Sequence, residues 1–393
     1  MRTREIGFTE ELLKEGIKYA HKLGKKVYLT INIFPHAQQI EDLKKHVQRT
    51  IKLAPDAIIV ADPGILTYIK SISDIPVHLS TQANTTNHLS AEFWHKAGAE
   101  RIVLARELSL MDIKLMSHHI CHSRSSREST KVDPRLLGDD RGVELEAFVQ
   151  GAMCMAYSGR CQISNYMTGR DPNKGACVQA CRFKYRIYEI EEEMRKGEKF
   201  QILEDEHGSY ILNSKDLCMI EYLPELIEAG ITSFKIEGRL KSVYYVGLVT
   251  RAWRKAIDLY FDDPKKYEKE KSKLKKELLK VSNRGFTTGF YFHKPTQNTN
   301  NYESSRAKSE WGFVGIVKKY DKISKMASVE VKNFLPKGAN LEIVTPNDVI
   351  KYKLDKIYHK GVEVDVVHAN YMIEIPVSVE LPENSFLRMK LAV

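Results

Sequence analysis

From residue 9 to about residue 260 the chain alternates between two hydrophobic periods. Stretches with apolar residues three and four apart, such as EELLKEGIKYAHKL, IEDLKKHVQRTIKL and LSAEFWHKAGA, predict amphipathic helices. Thr9 stands where a helix cap belongs, and Gly24 where a helix stops. Between the helices lie short β-branched runs at Val27–Ile33, Ala57–Ala61, Val77–Ser80, Arg101–Ala105, Val143–Val149 and Ser233–Ile236. Short strands separated by helices predict βαβ units and a parallel sheet. The chain opens on a helix, and a closed eight-stranded barrel needs two strands more than these six. An open doubly wound sheet needs none, but the Gly-rich loop of dinucleotide-binding sheets is missing. The expected fold is α/β: an incomplete (β/α) TIM-like barrel over residues 1–262, truncated at its N-terminal side.

Two segments interrupt the alternation. His118–Asp140 is polar, Ser/Arg-rich and aperiodic, so it reads as a loop. Its His118, His119 and His122 lack a supporting carboxylate, which argues against a metal site there. The second interruption, the insertion 151–186, holds most of the cysteines. After Asn283 the period becomes two, in runs at Phe313–Lys319, Ala327–Val331, Leu341–Val344, Ile350–Ile357, Val362–Val367 and Met372–Val377. These predict a small C-terminal antiparallel β-barrel domain over residues 286–393. Residues 263–285 read as a charged linker helix.

Composition narrows the class. Hydrophobic residues make up 42% of 393, enough for real cores, and no apolar run nears the ~20 residues of a membrane span. The N-terminal MRTREIGFTEELLKEG is no secretory signal, so a cytoplasmic protein without a membrane partner is expected. A net charge of +10 suits a nucleic-acid partner, or reflects a basic bias without one. Much of the excess lies in Lys265–Lys280, which by itself reads as a solvated helix face.

Six cysteines in such a chain argue against a disulfide framework, because the cytosol keeps thiols reduced. Four are spaced Cys154-x6-Cys161-x15-Cys177-x3-Cys181. Soft thiolates hold zinc or iron–sulfur clusters, and four complete either site. Zinc ribbons build on Cys-x2-Cys knuckles, which are missing, so the looser spacing favours a 4Fe–4S cluster with zinc as the alternative. Cys218, in NSKDLCMI, reads as a core residue of an amphipathic helix, with a substitute ligand as its other reading; Cys121 reads as incidental.

The segments ELEAFVQGAMCMAYSGRCQIS, GRDPNKGACVQACRFKY, ILNSKDL and FKIEGRLKSVYYV resemble the collagenase-like peptidase family of unclassified peptidases. VHLSTQAN and RIVLARELS upstream, with NRGFTTGFYF and WGFVGIV downstream, extend the resemblance over nearly the whole chain. Within the family it is most similar to the prephenate-dependent tRNA uridine hydroxylase branch. The resemblance implies a barrel with a 4Fe–4S cluster on Cys154, Cys161, Cys177 and Cys181. It also implies hydroxylation of a tRNA wobble uridine to 5-hydroxyuridine, with prephenate or a derivative as co-substrate. tRNA or another RNA, and iron–sulfur assembly machinery, are the implied partners.

In parallel barrels chemistry sits where strands end. Strand ends here carry Asn32, Gln82, Asn84, Arg106, Glu107, Lys235, Glu237 and Arg239. Arg grips carboxylates in bidentate fashion, so Arg106 and Arg239 are the expected substrate holders, with Lys235 in support. Structural ion pairs inside the barrel are the plainer reading of the same residues. Tyr157 and Tyr166 either stack a base or shield the cluster. No HExxH or GxSxG motif supports proteolysis, which stands as the alternative on the family's label. A non-catalytic RNA-binding iron–sulfur protein is the third reading.

Overall fold

The structure is a computed structural model of the chain. It describes residues 8–122, 142–154, 157–161, 163–170, 172–174, 177, 181, 190–191, 199–200, 204–205, 208–209, 214–239, 241–293 and 309–391. Two compact units divide it: Met1–Glu237 with Arg284–Arg306, and Gly238–Asn283 with Ala307–Val393.

In the first unit, helices and strands alternate as α1 (Glu10–Lys22), β1 (Tyr28–Ile31), α2 (Ile40–Lys52), β2 (Ala57–Val60), α3 (Pro63–Ile72), β3 (Val77–Leu79), α4 (His88–Lys96), β4 (Arg101–Val103), α5 (Leu110–His122) and β5 (Glu144–Ala152). There follow α6 (Ile163–Thr168), β6 (Asp216–Cys218), α7 (Leu223–Glu228) and β7 (Ser233–Ile236). Local chemistry sets the boundaries. The Thr9 hydroxyl accepts from Leu12 N–H at the start of α1, and Gly24 turns the chain out of it at φ +65°. Asp62 caps α3 in the same way, with Pro63 in its first turn.

β1 to β5 pair side by side in sequence order, all parallel, and β7 extends the series parallel to β5. The six expected strands are therefore all present, in the expected order. β6 pairs antiparallel with the far end of β5, and a further short strand, β8 (Phe286–Thr287), pairs parallel with β6. Neither was expected. Cys218 lies in β6 and is buried, not on a helix. Three residues of strand carry too little period to separate them from a helix end. Apolar residues of the strands and inner helix faces, among them Ile58, Val60, Leu66, Ile69, Val77, Leu79 and Ile102, are fully buried and form the core. His118 and His119 sit on α5 instead of in a loop, with His119 stacked on His88. Residues 123–141, the rest of the expected loop, lie outside the described residues.

The second unit begins with helices α8 (Val243–Asp262) and α9 (Pro264–Leu279). Its sheet comprises β9 (Trp311–Asp321), β10 (Met326–Val331), β11 (Asn340–Val344), β12 (Val349–Lys353), β13 (Tyr358–His359), β14 (Val362–Glu363), β15 (Met372–Pro376) and β16 (Phe386–Lys390). The order is β12-β11-β16-β9-β10-β15-β13-β14, antiparallel throughout. The expected boundary at 262 falls between two helices of this unit, and 263–285 is mostly α9 packed within it. Alternation buries Val314, Val329, Ile343, Ile373 and Leu387 in one apolar cluster.

Candidate active site at the ends of the parallel strands

Parallel register places side chains of one row on one face of the sheet, and in the first unit that face is polar. His78 is opposite Arg101, Arg101 opposite Glu144, and Glu146 opposite Ser233. Arg101 reaches Glu144 at 2.5 Å and Glu146 at 3.5 Å, and Lys235 reaches the other oxygen of Glu146 at 2.5 Å. Ser233 donates to Glu146 at 2.8 Å. Burial alone raises the Glu146 carboxyl, but the Lys235 ammonium and its hydrogen bond, Ser233 and Arg101 together hold it below the ordinary value. His78 is pushed the other way from charge: burial first, and then Arg101, lower it to about 4, so the imidazole is neutral at pH 7.

Towards the C-terminal ends of the strands lies the Phe148 ring. The Arg106 guanidinium carbon stands 3.7 Å from its centroid, and the Lys235 ammonium 5.7 Å. Arg106 is largely buried, and its contact with Glu237 is a long 3.9 Å. Tyr291 donates to the Phe148 carbonyl at 2.5 Å, and burial raises its phenol far above the usual range. Next to this group, Asn32 donates to Ser80 at 2.9 Å, while Gln82 is buried in the turn after β3. The structure thus brings together Arg106, Glu237 and Lys235 around Phe148, and Asn32 with the turn bearing Gln82. Asn84, in the left-handed region at φ +56°, ends that turn with its buried Oδ1 accepting no hydrogen bond. Arg239 is exposed and is counted with the second unit.

The cysteine-bearing segment leaves β5 at this same edge. Glu107 accepts from the Ser158 N–H at 2.8 Å and from its hydroxyl at 3.2 Å, while the Arg106 N–H donates to the Ser158 oxygen. Gly159, at φ +72°, lies so close to the turn after β3 that a Cβ there would stand 2.1 Å from the Gln82 carbonyl oxygen. Asn173 donates to the Cys161 carbonyl, and its own carbonyl accepts from Phe34 N–H beyond β1. The segment is thereby fastened to the ends of β1, β3 and β4. Tyr157 is half-exposed, and the Tyr166 side chain lies outside the described residues.

Cys154, Cys161, Cys177 and Cys181 are in no disulfide, a donor set of the right chemistry for a cluster or zinc. Among the described residues no three His, Cys, Asp or Glu side chains converge as a metal-binding set, so these four are not gathered at one point. The inner cluster of His78, Arg101, Glu144 and Glu146 was missed from the sequence. The signal for it was Glu144 and Glu146, two residues apart in the otherwise apolar VELEAFV.

Residues 1–301 match the model of peptidase family U32, and residues 309–388 match the family's C-terminal domain. A Bacillus subtilis protein named tRNA hydroxylation protein P1 is 36% identical, over 88% of this chain and 76% of its own. The Escherichia coli tRNA hydroxylation protein P is 34% identical, over 99% of this chain and 89% of its own. A Porphyromonas gingivalis protein named collagenase is 30% identical, over 96% and 87%. No helix among the described residues is long and apolar enough to cross a membrane. Matched along both of its parts, the chain belongs to peptidase family U32.

Proposed function

We propose that this chain is an RNA-modifying enzyme of the cytoplasm that hydroxylates tRNA, acting on a wobble uridine to give 5-hydroxyuridine. The observation that carries the reading is the docking of the cysteine segment onto the Arg106 strand end, in a chain whose relatives include named tRNA hydroxylation proteins. In this reading Cys154, Cys161, Cys177 and Cys181 hold a 4Fe–4S cluster, delivered by iron–sulfur assembly machinery, which supplies redox chemistry when bound. Arg106 holds a carboxylate of prephenate or a derivative: it is buried, backed by Phe148, and only loosely engaged by Glu237. Glu146, Arg101 and Lys235 keep the floor of the site polar and fixed. Asn32 and Gln82 offer hydrogen bonds at its rim.

The test is mass spectrometry of tRNA nucleosides from a strain lacking the gene. Loss of 5-hydroxyuridine-type nucleosides, restored by the wild-type chain and not by Cys177→Ser, is expected. Intact modification in the deletion strain, with a collagen peptide cleaved by the purified chain, would replace this reading by the proteolysis suggested by the collagenase relative.

A further inference from the structure

Helix α9 and the residue after it carry eight lysines and three glutamates, and the structure sorts them by face. Tyr267, Leu274 and Leu278 are buried on one side. At 3.6 residues per turn, Lys265, Lys266, Lys269, Lys273 and Lys276 fall on the opposite side, within about 100° of arc. All five are exposed. Two of the acids are taken up off the stripe, Glu268 by Lys271 and Glu277 by Lys280 and Arg388, while Glu270 pairs with Lys273 on it. Lys265, Lys266, Lys269 and Lys276 have no ion-pair partner among the described residues. The fields of these cations overlap. The partly exposed Glu270 carboxyl is held below its ordinary value by the Lys273 hydrogen bond, and then by Lys273, Lys255 of α8 and Lys266. A lysine-rich helix that serves only for solubility intersperses its signs around the cylinder. Here four lysines without an ion-pair partner among the described residues share one stripe about 16 Å long, on a helix whose other face is packed.

We infer that this stripe, with Lys255 beside it, is a docking surface for the phosphate backbone of RNA, separate from the strand-end site. The choice of polymer rests on the RNA-modifying reading above; the stripe itself rests on charge complementarity. Point ammonium charges suit phosphates and carry no base specificity, so the surface holds the polymer without selecting its sequence.

The experiment uses the full chain and unmodified tRNA, with affinity measured by fluorescence anisotropy between 50 and 300 mM KCl, conditions chosen on the order of those where counterion release is readable. The quadruple variant K265Q/K266Q/K269Q/K276Q keeps good helix formers at exposed positions, and circular dichroism checks its fold. Its slope of log affinity against log salt should be shallower by about 2 to 4, and binding near 150 mM should weaken at least about tenfold. The control K14Q/K18Q/K22Q, on exposed positions of α1, should bind like wild type. Equal slopes for wild type and quadruple variant, equal losses in both variants, or no tRNA binding by wild type would each overturn the surface. So would lysine-dependent binding to phosphatidylserine vesicles with tRNA binding unaltered. A deletion strain that keeps its hydroxylated nucleosides would sink the catalytic reading alone. Unchanged slopes beside a lost modification would sink only the surface.

Discussion

His78 is 6% exposed, edge-on to the Tyr28 ring, with Arg101 opposite it in the register and Lys235 and Lys26 adding positive field. Its folded value of about 4 lies below the ordinary 6.5, so between these values the unfolded chain takes up a proton that the folded chain refuses. Stability is therefore complete above pH 6.5 and falls as the pH drops towards 4. By pH 5 the loss from this residue is about 2 kcal/mol. Glu146 acts in a lower window: its depressed carboxyl contributes above the ordinary 4.5 and loses that contribution as pH falls through its folded value. Urea unfolding at pH 7 and pH 5 should show the loss in wild type, and His78→Gln should abolish most of it. A variant that keeps the full pH response would place its origin elsewhere. Lys235→Met, in turn, leaves Glu146 buried with only the longer 3.5 Å contact to Arg101 for charge compensation. It should cost about 3 kcal/mol, while the double change with Glu146→Leu should recover much of that. Arg106→Ala removes the proposed carboxylate holder. It should lower tRNA hydroxylation at least about tenfold with the melting temperature within a few degrees of wild type. Loss of melting temperature in step with activity would make Arg106 a structural residue.

At the scale of elements, the cysteine segment is held by backbone proximity as much as by hydrogen bonds. Gly159→Ala puts a methyl into the Gln82 carbonyl in a left-handed turn, and nothing there is flexible enough to yield. Hydrogen exchange in residues 157–161 should quicken, and iron content after anaerobic purification should fall. Unchanged exchange would mean the segment seats without that approach. The parallel strands were legible because each is a β-branched apolar run bounded by helix signals, and the register then follows from sequence order. β6 and β8 were illegible because two or three residues hold no period, and their place is set by the far end of β5. The ends of the strands were legible as a candidate place for chemistry, since parallel topology favours it. What sequence did not disclose is that the insertion folds back on three of those ends. Ser158, Gly159 and Asn173 carry that contact through main-chain geometry that has no compositional mark.

At the scale of the whole chain, the second unit is discontinuous, and a buried cation is one of the ties between its parts. Arg388 on β16 is 0% exposed and binds Glu342 of β11 at 2.5 Å and Glu277 of α9 at 2.7 Å. Lys280 joins both glutamates, and Arg388 also lies over the Trp311 ring of β9. A residue more than a hundred positions away thus fastens α9 to the sheet, which is why the sequence around 263–285 reads as a linker when taken locally. The expected consequence is cooperative. Arg388→Met leaves two partly buried carboxylates with Lys280 as their one remaining shared cation, a change of about 3 kcal/mol. In the full chain, hydrogen exchange should then quicken together in α9, β11 and β16. Amides of β2, β3 and β4, in the other unit, should keep their wild-type protection, because local opening follows contiguous cooperative units. Faster exchange in α9 alone, with β11 and β16 unaffected, would show that the helix is an appended linker after all. Equal acceleration in β2 to β4 would show that the two units unfold as one.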